Sequence, residues 1–300
     1  MIDPRRLEIL RVFSVAGTMA AAAETLFIST SAVSQQLRIL EQEVGVALLD
    51  RRGRRATLTD AGAVLTQFAA EMAALSETAA STMQRLAGTF QGVVRVSAPP
   101  SFASTVLPTA LMEMHHTYPT LRVSVTDLEP FEGIRGLRDG SVDLAVIDDI
   151  QQYDLTEIDT VPVGVDELLL CAPPTMPLGA GPIEVSSLSD ARWVLDGSQE
   201  VFDEFLFDLC RRAGFEPDIV ARCRNVAVTL ALVDKGVGVA LLSSMHTRGK
   251  SLPVQTRRFS PAQTRNILLA RRRSSQPSHL VDAVEAILRT RGAGFLRSAE

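Results

Sequence analysis

Thr30, Ser31, Ser34, Gln35 and Arg38 put five hydrogen-bonding side chains within nine residues. At 100° per residue they fall along one side of a helix beginning near Ser29. Ser, Thr and Gln donate and accept, which suits reading the edges of base pairs, while Arg suits phosphate or guanine. The same spacing also describes an amphipathic helix with a solvated polar face, and the five residues alone leave both readings open. Just downstream, Arg51, Arg52, Arg54 and Arg55 surround Gly53. Arginines at the tip of a hairpin can lie along phosphates or enter a minor groove.

Other chemistry is sparse. Cys171, Cys210 and Cys223 are widely spaced and form no CxxC pair, which suits a reducing compartment better than a disulfide framework. Cys210 and Cys223 have arginine neighbours, Arg211, Arg212, Arg222 and Arg224. These would lower a thiol pKa if they approached it, so a redox switch stands beside the plainer reading of small buried hydrophobes. His115, His116, His246 and His279 form no ligand set. GxSxG, P-loop, HExxH and GxGxxG patterns are absent, so neither an enzyme, a metal nor a cofactor is expected.

The 300 residues carry a net charge of −5, with 46% hydrophobic and 22% charged residues. That is the balance of a globular chain with two or three domains. No apolar run reaches the ~18 residues of a membrane span. The charged start, MIDPRRLEIL, lacks the apolar stretch of an export signal, so a cytoplasmic protein is expected. Charge is unevenly placed. Residues 127–167 hold twelve acids and two arginines, and residues 248–297 hold eleven basic residues and two acids. Internal pairing of these blocks is expected, rather than a basic surface for a partner.

The elements that would position these groups are legible from caps and periodicity. Asp3-Pro4 starts a first helix ending at Gly17, Thr18 caps a second over 19–26, and Ser29 caps a third to about residue 44, stopped by Gly45. Two short helices and a tight turn make a helix-turn-helix candidate, with Val33, Leu37 and Leu40 on the buried side of the second. Residues 45–59 read as a hairpin. A helix over 60–86 carries Ala61, Leu65, Phe68, Met72, Leu75, Ala79, Thr82 and Leu86 at alternating spacings of four and three. A heptad stripe this narrow favours a two-helix seam, with Leu65, Phe68, Met72 and Leu75 at its centre. After residue 88, strands and helices alternate, which predicts a parallel sheet with crossovers. Strands are expected at 93–97, 121–128, 143–147, 168–171, 193–195, 219–222, 237–242 and 267–270, and a closing helix at 280–289.

Residues 21–41, AAAETLFISTSAVSQQLRILE, resemble the AAxxLxxSxxAVSxQIxxLE signature of the LysR-type transcriptional regulators. Gly45, Leu48, Arg51, Arg54, Leu58, Thr59, Ala61 and Gly62 fall where that family places its wing. LRDG at 137–140, VDLAV at 142–146, CRRAGF at 210–215 and ALVDKGVGVALL at 231–242 extend the resemblance through the second half. The chain departs from the family at Thr30-Ser31, where many members have Gln-Pro, at Gln35, often Arg, and at Leu49-Asp50, where the family often has Phe before the wing arginine.

The resemblance implies a mixed fold. A winged helix-turn-helix domain over 1–58 and a dimerisation helix over 59–88 precede a periplasmic-binding-protein-like α/β effector domain over 89–300. Its lobes would comprise 92–161 with 266–300, and 162–265. The resemblance further implies double-stranded DNA, RNA polymerase and a small-molecule effector as partners, and a homodimer or homotetramer. Thr30, Ser31, Ser34 and Gln35 would read bases, and Arg38, Arg51 and Arg54 would contact backbone. Ser101, Phe102, Leu128, Asp148, Asp149, Gly197, Ser198 and Asn225 would border the effector cleft. Because Asp148-Asp149 would repel an anion, a ligand's cationic end between Ser101 and these acids is one expectation; a solvated acidic turn is the other.

Overall fold

The computed structural model describes residues 2–51, 56–86, 92–196, 200–249, 252–273 and 278–297. Its first three helices are α1 (Pro4–Ala16), α2 (Met19–Thr25) and α3 (Thr30–Val44). Each begins where a side chain satisfies an otherwise unpaired amide. Asp3 accepts from the Arg5 amide at 2.9 Å, Thr18 from Ala21 at 3.1 Å, and Ser29 from Ala32 at 3.1 Å. Gly45 ends α3 with φ at 75°, a left-handed position where a side chain is strained. Leu7, Leu10, Phe13, Ala22, Ala23, Val33, Leu37 and Leu40 close a small core between the three helices. Across it, Arg6 on α1 donates to Gln36 on α3 at 3.0 Å and pairs with Glu43.

A two-stranded wing follows, β1 (Leu49–Asp50) antiparallel to β2 (Thr57–Leu58). The tip arginines Arg52, Arg54 and Arg55 lie outside the described residues. Thr59 then caps α4 (Asp60–Leu86): its hydroxyl accepts from the Gly62 amide at 3.0 Å and donates to the Ala47 carbonyl at 2.8 Å.

The 27-residue α4 has two differently used faces. Ala61, Leu65 and Ala69 pack into the head core. Val64, Phe68, Met72, Leu75 and Met83 stand exposed, from 40% at Met72 to 61% at Leu75. The expected seam is therefore corrected at two positions: Ala61 and Leu65 turn inward to the head, and Val64 joins the exposed stripe. A straight helix turns about 20° per heptad away from a strict seven-residue repeat, so residues at the edge of the stripe change sides.

The second half is built on one sheet ordered β4-β3-β5-β11-β6-β10. These strands are β3 (Gly92–Ala98), β4 (Leu121–Asp127), β5 (Leu144–Asp148), β6 (Ile158–Ala172), β10 (Ala240–Ser243) and β11 (Gln255–Arg272). β4, β3 and β5 are parallel, as expected for crossover units. β6 and β11 are antiparallel to each other over fourteen paired positions, and each reaches far beyond the short strand the sequence suggests. Because they run through both halves of the sheet, the sheet is mixed rather than parallel. β7 (Ile183–Glu184) pairs with β11, and β8 (Arg192–Asp196) pairs in parallel with β9 (Asp218–Cys223).

Two separate cores lie along this pair of strands. The first joins Val94, Val96, Phe102, Leu107, Val146, Ile267, Val284 and Leu288. It is covered by α5 (Pro100–Ala103), α6 (Leu107–Thr117) and α11 (His279–Arg297). The second joins Leu168, Leu170, Trp193, Leu206, Cys210, Leu241 and Phe259 beneath α8 (Glu200–Arg212). Gly238 sits where an added Cβ would stand 2.6 Å from the Arg192 carbonyl oxygen. Its role is backbone approach between strands, not phosphate binding.

The acidic and basic blocks do pair with each other. Arg273 meets Asp159 at 2.8 Å, and Arg258 meets Glu167 at 3.2 Å. Most such exposed pairs add little stability; the buried one is described below.

Candidate functional site

Two sites emerge, and α3 carries the first. Thr30, Ser31, Gln35 and Arg38 are exposed and Ser34 is half-buried, while Val33, Leu37 and Leu40 hold the opposite side in the core. Ser31 shares a 2.9 Å hydrogen bond with the cap residue Ser29. Among the described residues, Thr30, Ser34, Gln35 and Arg38 have no side-chain partner, so their donors and acceptors face outward unspent. Phe27, in the turn before α3, has a left-handed φ of 55° and is 96% exposed, adding an apolar group to this end of the helix.

Arg51 is placed differently from Arg38. Its guanidinium pairs with Glu41 on α3 at 2.8 Å. Glu41 also accepts from the Leu48 and Leu49 amides, both at 3.0 Å. One carboxylate thus fixes the wing to the helix that carries the polar face. Glu41 was visible in the sequence only as the last residue of the signature.

The second site is a cleft of about 400 Å³ between the two cores. Ser101 reaches it from α5, Asp148 from the end of β5, and Asn225 from the cap of α9 (Val226–Asp234). Glu129 and Phe131 line it at the start of α7 (Pro130–Asp139). Three expected lining residues are not in the cleft wall. Phe102 is wholly buried in the first core, because it is the next residue along α5 from Ser101 and faces the other way. Leu128 packs beside Ile134 and Leu137. Asp149, just past the end of β5, turns to the neighbouring strand β11 and accepts from the Asn266 amide at 2.7 Å. Gly197 and Ser198 lie outside the described residues.

The cleft floor holds a residue the sequence reading missed. Arg265, on β11 directly opposite Asp166 of β6, is buried. Its Nε donates to Asp166 at 2.9 Å, Nη1 to Asp148 at 2.9 Å and Nη2 to Ser101 Oγ at 2.8 Å. Ser243 and Ser244 donate to Asp166 at 2.6 and 2.8 Å; Ser243 ends β10 and Ser244 opens α10 (Ser244–Thr247). Burial pulls the arginine pKa down, but Asp166 and Asp148 more than offset this and hold it above its usual value. Burial, with the Asp148 charge beside it, also pushes the Tyr153 phenol well up. The expected cation between Ser101 and Asp148 is therefore supplied by the chain itself. The only signal for it was an arginine among many in the basic block.

The two sites fall in two regions that match known families. Residues 4–63 match the model described as the bacterial regulatory helix-turn-helix protein, lysR family, and residues 87–293 match the LysR substrate binding domain. The chain belongs to the LysR family of transcriptional regulators. It is 25% identical to the HTH-type transcriptional regulator YfeR of Shigella flexneri, covering 99% of this chain and 96% of that one. It is 30% identical to a probable hydrogen peroxide-inducible genes activator of Mycobacterium leprae, covering 75% of this chain and 73% of that one. Among solved structures, a full-length OxyR variant from Pseudomonas aeruginosa superposes with a TM-score of 0.73 at 19% identity, covering 98% of each chain. The fold of this LysR-type regulator is thus a winged helix-turn-helix joined to a two-lobed α/β domain. Among the described residues no helix is long and apolar enough to cross a membrane.

The cysteines of this LysR-type regulator are poorly placed for oxidant sensing. All three are buried and unbridged. Burial, reinforced by Glu216, pushes the Cys210 thiol up to about 11. The neighbouring Arg211 guanidinium is engaged by Asp208 at 2.9 Å and Glu216 at 3.0 Å. The thiolate is the reactive form, and it is scarce near neutral pH.

Proposed function

We propose that this regulator binds double-stranded DNA sequence-specifically by inserting the N-terminal end of α3 into the major groove. The reading rests on one observation: a capped helix with a packed apolar side presents Thr30, Ser34, Gln35 and Arg38, whose side chains bond to nothing among the described residues. In this reading Thr30, Ser31, Ser34 and Gln35 contact base edges. Arg38 contacts phosphate, joined by Arg51 only if it leaves Glu41, and by Arg54 from the wing tip. The exposed stripe Val64, Phe68, Met72 and Leu75 supports pairing of two α4 helices, in a homodimer or a dimer of dimers. Two heads would then reach successive major grooves, about one helical turn apart. RNA polymerase would be the downstream partner, in the cytoplasm, and the cleft between the lobes would hold the small-molecule effector. No catalytic role is assigned.

A gel-shift and binding-site selection with the DNA upstream of the protein's own coding region tests this. Gln35→Ala should change base preference at one position of each half-site. Arg38→Ala should weaken binding to all sequences alike and flatten the salt dependence. A base preference that moves with Arg38→Ala but not with Gln35→Ala would overturn the assignment of roles.

A further inference from the structure

The ion triad on the cleft floor leaves a specific hydrogen-bond pattern open. Ser101 Oγ accepts from Arg265 Nη2 at 2.8 Å, and its own hydroxyl hydrogen meets no acceptor among the described residues. Ser101 is only 4% exposed and lines the cleft. A buried hydroxyl carries one donor and two acceptor positions, so the donor is the part not yet used. Asp148 Oδ2 accepts from Nη1 of the same guanidinium at 2.9 Å, its Oδ1 receives the Ile150 amide at a longer 3.3 Å, and the Tyr153 phenol also hydrogen-bonds this carboxylate, so three of its four lone-pair positions are used and one is left. Nη1 and Nη2 share one carbon, so Arg265 sets the serine and the carboxylate side by side. The floor thus offers a hydroxyl donor next to a carboxylate acceptor, held in register by one planar group.

Charge narrows what fits that pair. Four carboxylates line the cleft among the described residues, Asp127, Glu129, Glu132 and Asp148, against two guanidiniums, Arg224 and Arg265. Arg265 is already shared between Asp148 and Asp166. An acid would enter against net negative charge, in a setting where like charges are costly. An ammonium group carries only donors and would leave the Ser101 hydrogen unmatched. A neutral group with a carbonyl oxygen beside an N–H, as in a carboxamide, a lactam or a pyrimidine edge, matches both.

Resting on the reading of the cleft as the effector site, we propose that it takes a neutral ligand through a carboxamide-type edge. The ligand carbonyl accepts from Ser101 and its N–H donates to Asp148. Arg265 is the positioning residue that sets this preference. The cleft volume of about 400 Å³ suits a small ring carrying such an edge.

Calorimetry and thermal shift on the full chain test the ligand class with nicotinamide, benzamide and uracil, against benzoate, malonate and benzylamine. Benzamide should bind at least about tenfold more tightly than benzoate, the acid that matches it in shape. Ser101→Ala should lose about tenfold in benzamide affinity, and Ser101→Thr, which keeps the hydroxyl, should restore it. Asp148→Asn removes one negative charge and should narrow or reverse the benzamide-to-benzoate ratio, a change that a merely structural role would not produce. Silence of all three neutral probes, acids binding as well as amides, or an unchanged ratio in Asp148→Asn would each overturn the proposal. Gel shifts at saturating probe separate this from the effector reading. An acid that binds and alters DNA affinity sinks the ligand class alone. A bound amide that leaves DNA affinity unchanged counts against the effector role and not against the class.

Discussion

The exposed face of α3 and the floor of the interlobe cleft are both rich in hydrogen-bonding groups, and they use them in opposite ways. On α3, the side chains of Thr30, Ser34, Gln35 and Arg38 have no partner among the described residues. On the cleft floor, Arg265 binds Asp148, Asp166 and Ser101, and two serines complete Asp166. A surface that reads many DNA sites stays hydrated until contact, so unsatisfied groups cost it little. A buried floor has no such shelter, since an unpaired charge there is among the most expensive things a fold can contain. On the proposed reading, the first site would act through groups left unused, and the second through the few positions that internal pairing leaves over.

The largest effect is expected at Arg265. Arg265→Met strands two buried carboxylates and should cost about 3–5 kcal/mol in urea unfolding. Combining it with Asp148→Asn and Asp166→Asn should recover much of that loss. A single variant as stable as the parent would mean the triad carries no buried charge. Next in size is assembly. Met72→Asp with Leu75→Asp places like charges on the exposed stripe, and light scattering should report monomers. Their operator affinity should fall by roughly 10²–10⁴-fold, because two linked heads no longer share one site.

Much of the first site was legible because its signals are local. Asp3, Thr18, Ser29 and Thr59 cap helices within three residues of their own positions, and glycines stop α1 and α3. The second site depends on pairing between distant segments. Arg265 lies 117 residues from Asp148 and 164 from Ser101, and nothing in its neighbours marks it as buried. The lengths of β6 and β11 escaped for the same reason, since their extra residues are strand only by virtue of each other. At Leu65 the periodicity was right and the side wrong by one position, and at Phe102 the resemblance pointed to the right turn but to the neighbour of the lining residue; residue type alone resolves neither.

Smaller effects sharpen the contrast. Gln35→Ala should cost about 1–3 kcal/mol against the best sequence and leave unfolding stability unchanged, since its side chain bonds to nothing among the described residues. The smallest effect is expected at Cys210. Its thiol rises from an ordinary 9.0 to about 11 in the fold, so the native state favours the protonated form. The stability this contributes is complete below about pH 9 and disappears as pH rises through about 11. Unfolding titrations across that window should lose this increment in the parent and not in Cys210→Ser. Iodoacetamide should label native Cys210 slowly at about pH 8, where the thiolate is scarce, and rapid labelling there would contradict its burial.

The first core described above is assembled from both ends of the effector half: Val94 and Val96 at its start, Val284, Leu288 and Leu296 at its finish. The second core is completed earlier in the chain, its last contributor being Phe259. A ribosome therefore releases the material for the second core first, while strands β3 to β5, covered only in part by α5 and α6, wait for α11. During synthesis the earlier-made lobe is the later one to close. A chain cut short before α11 would leave open an apolar surface whose first strand, β3, had left the ribosome long before.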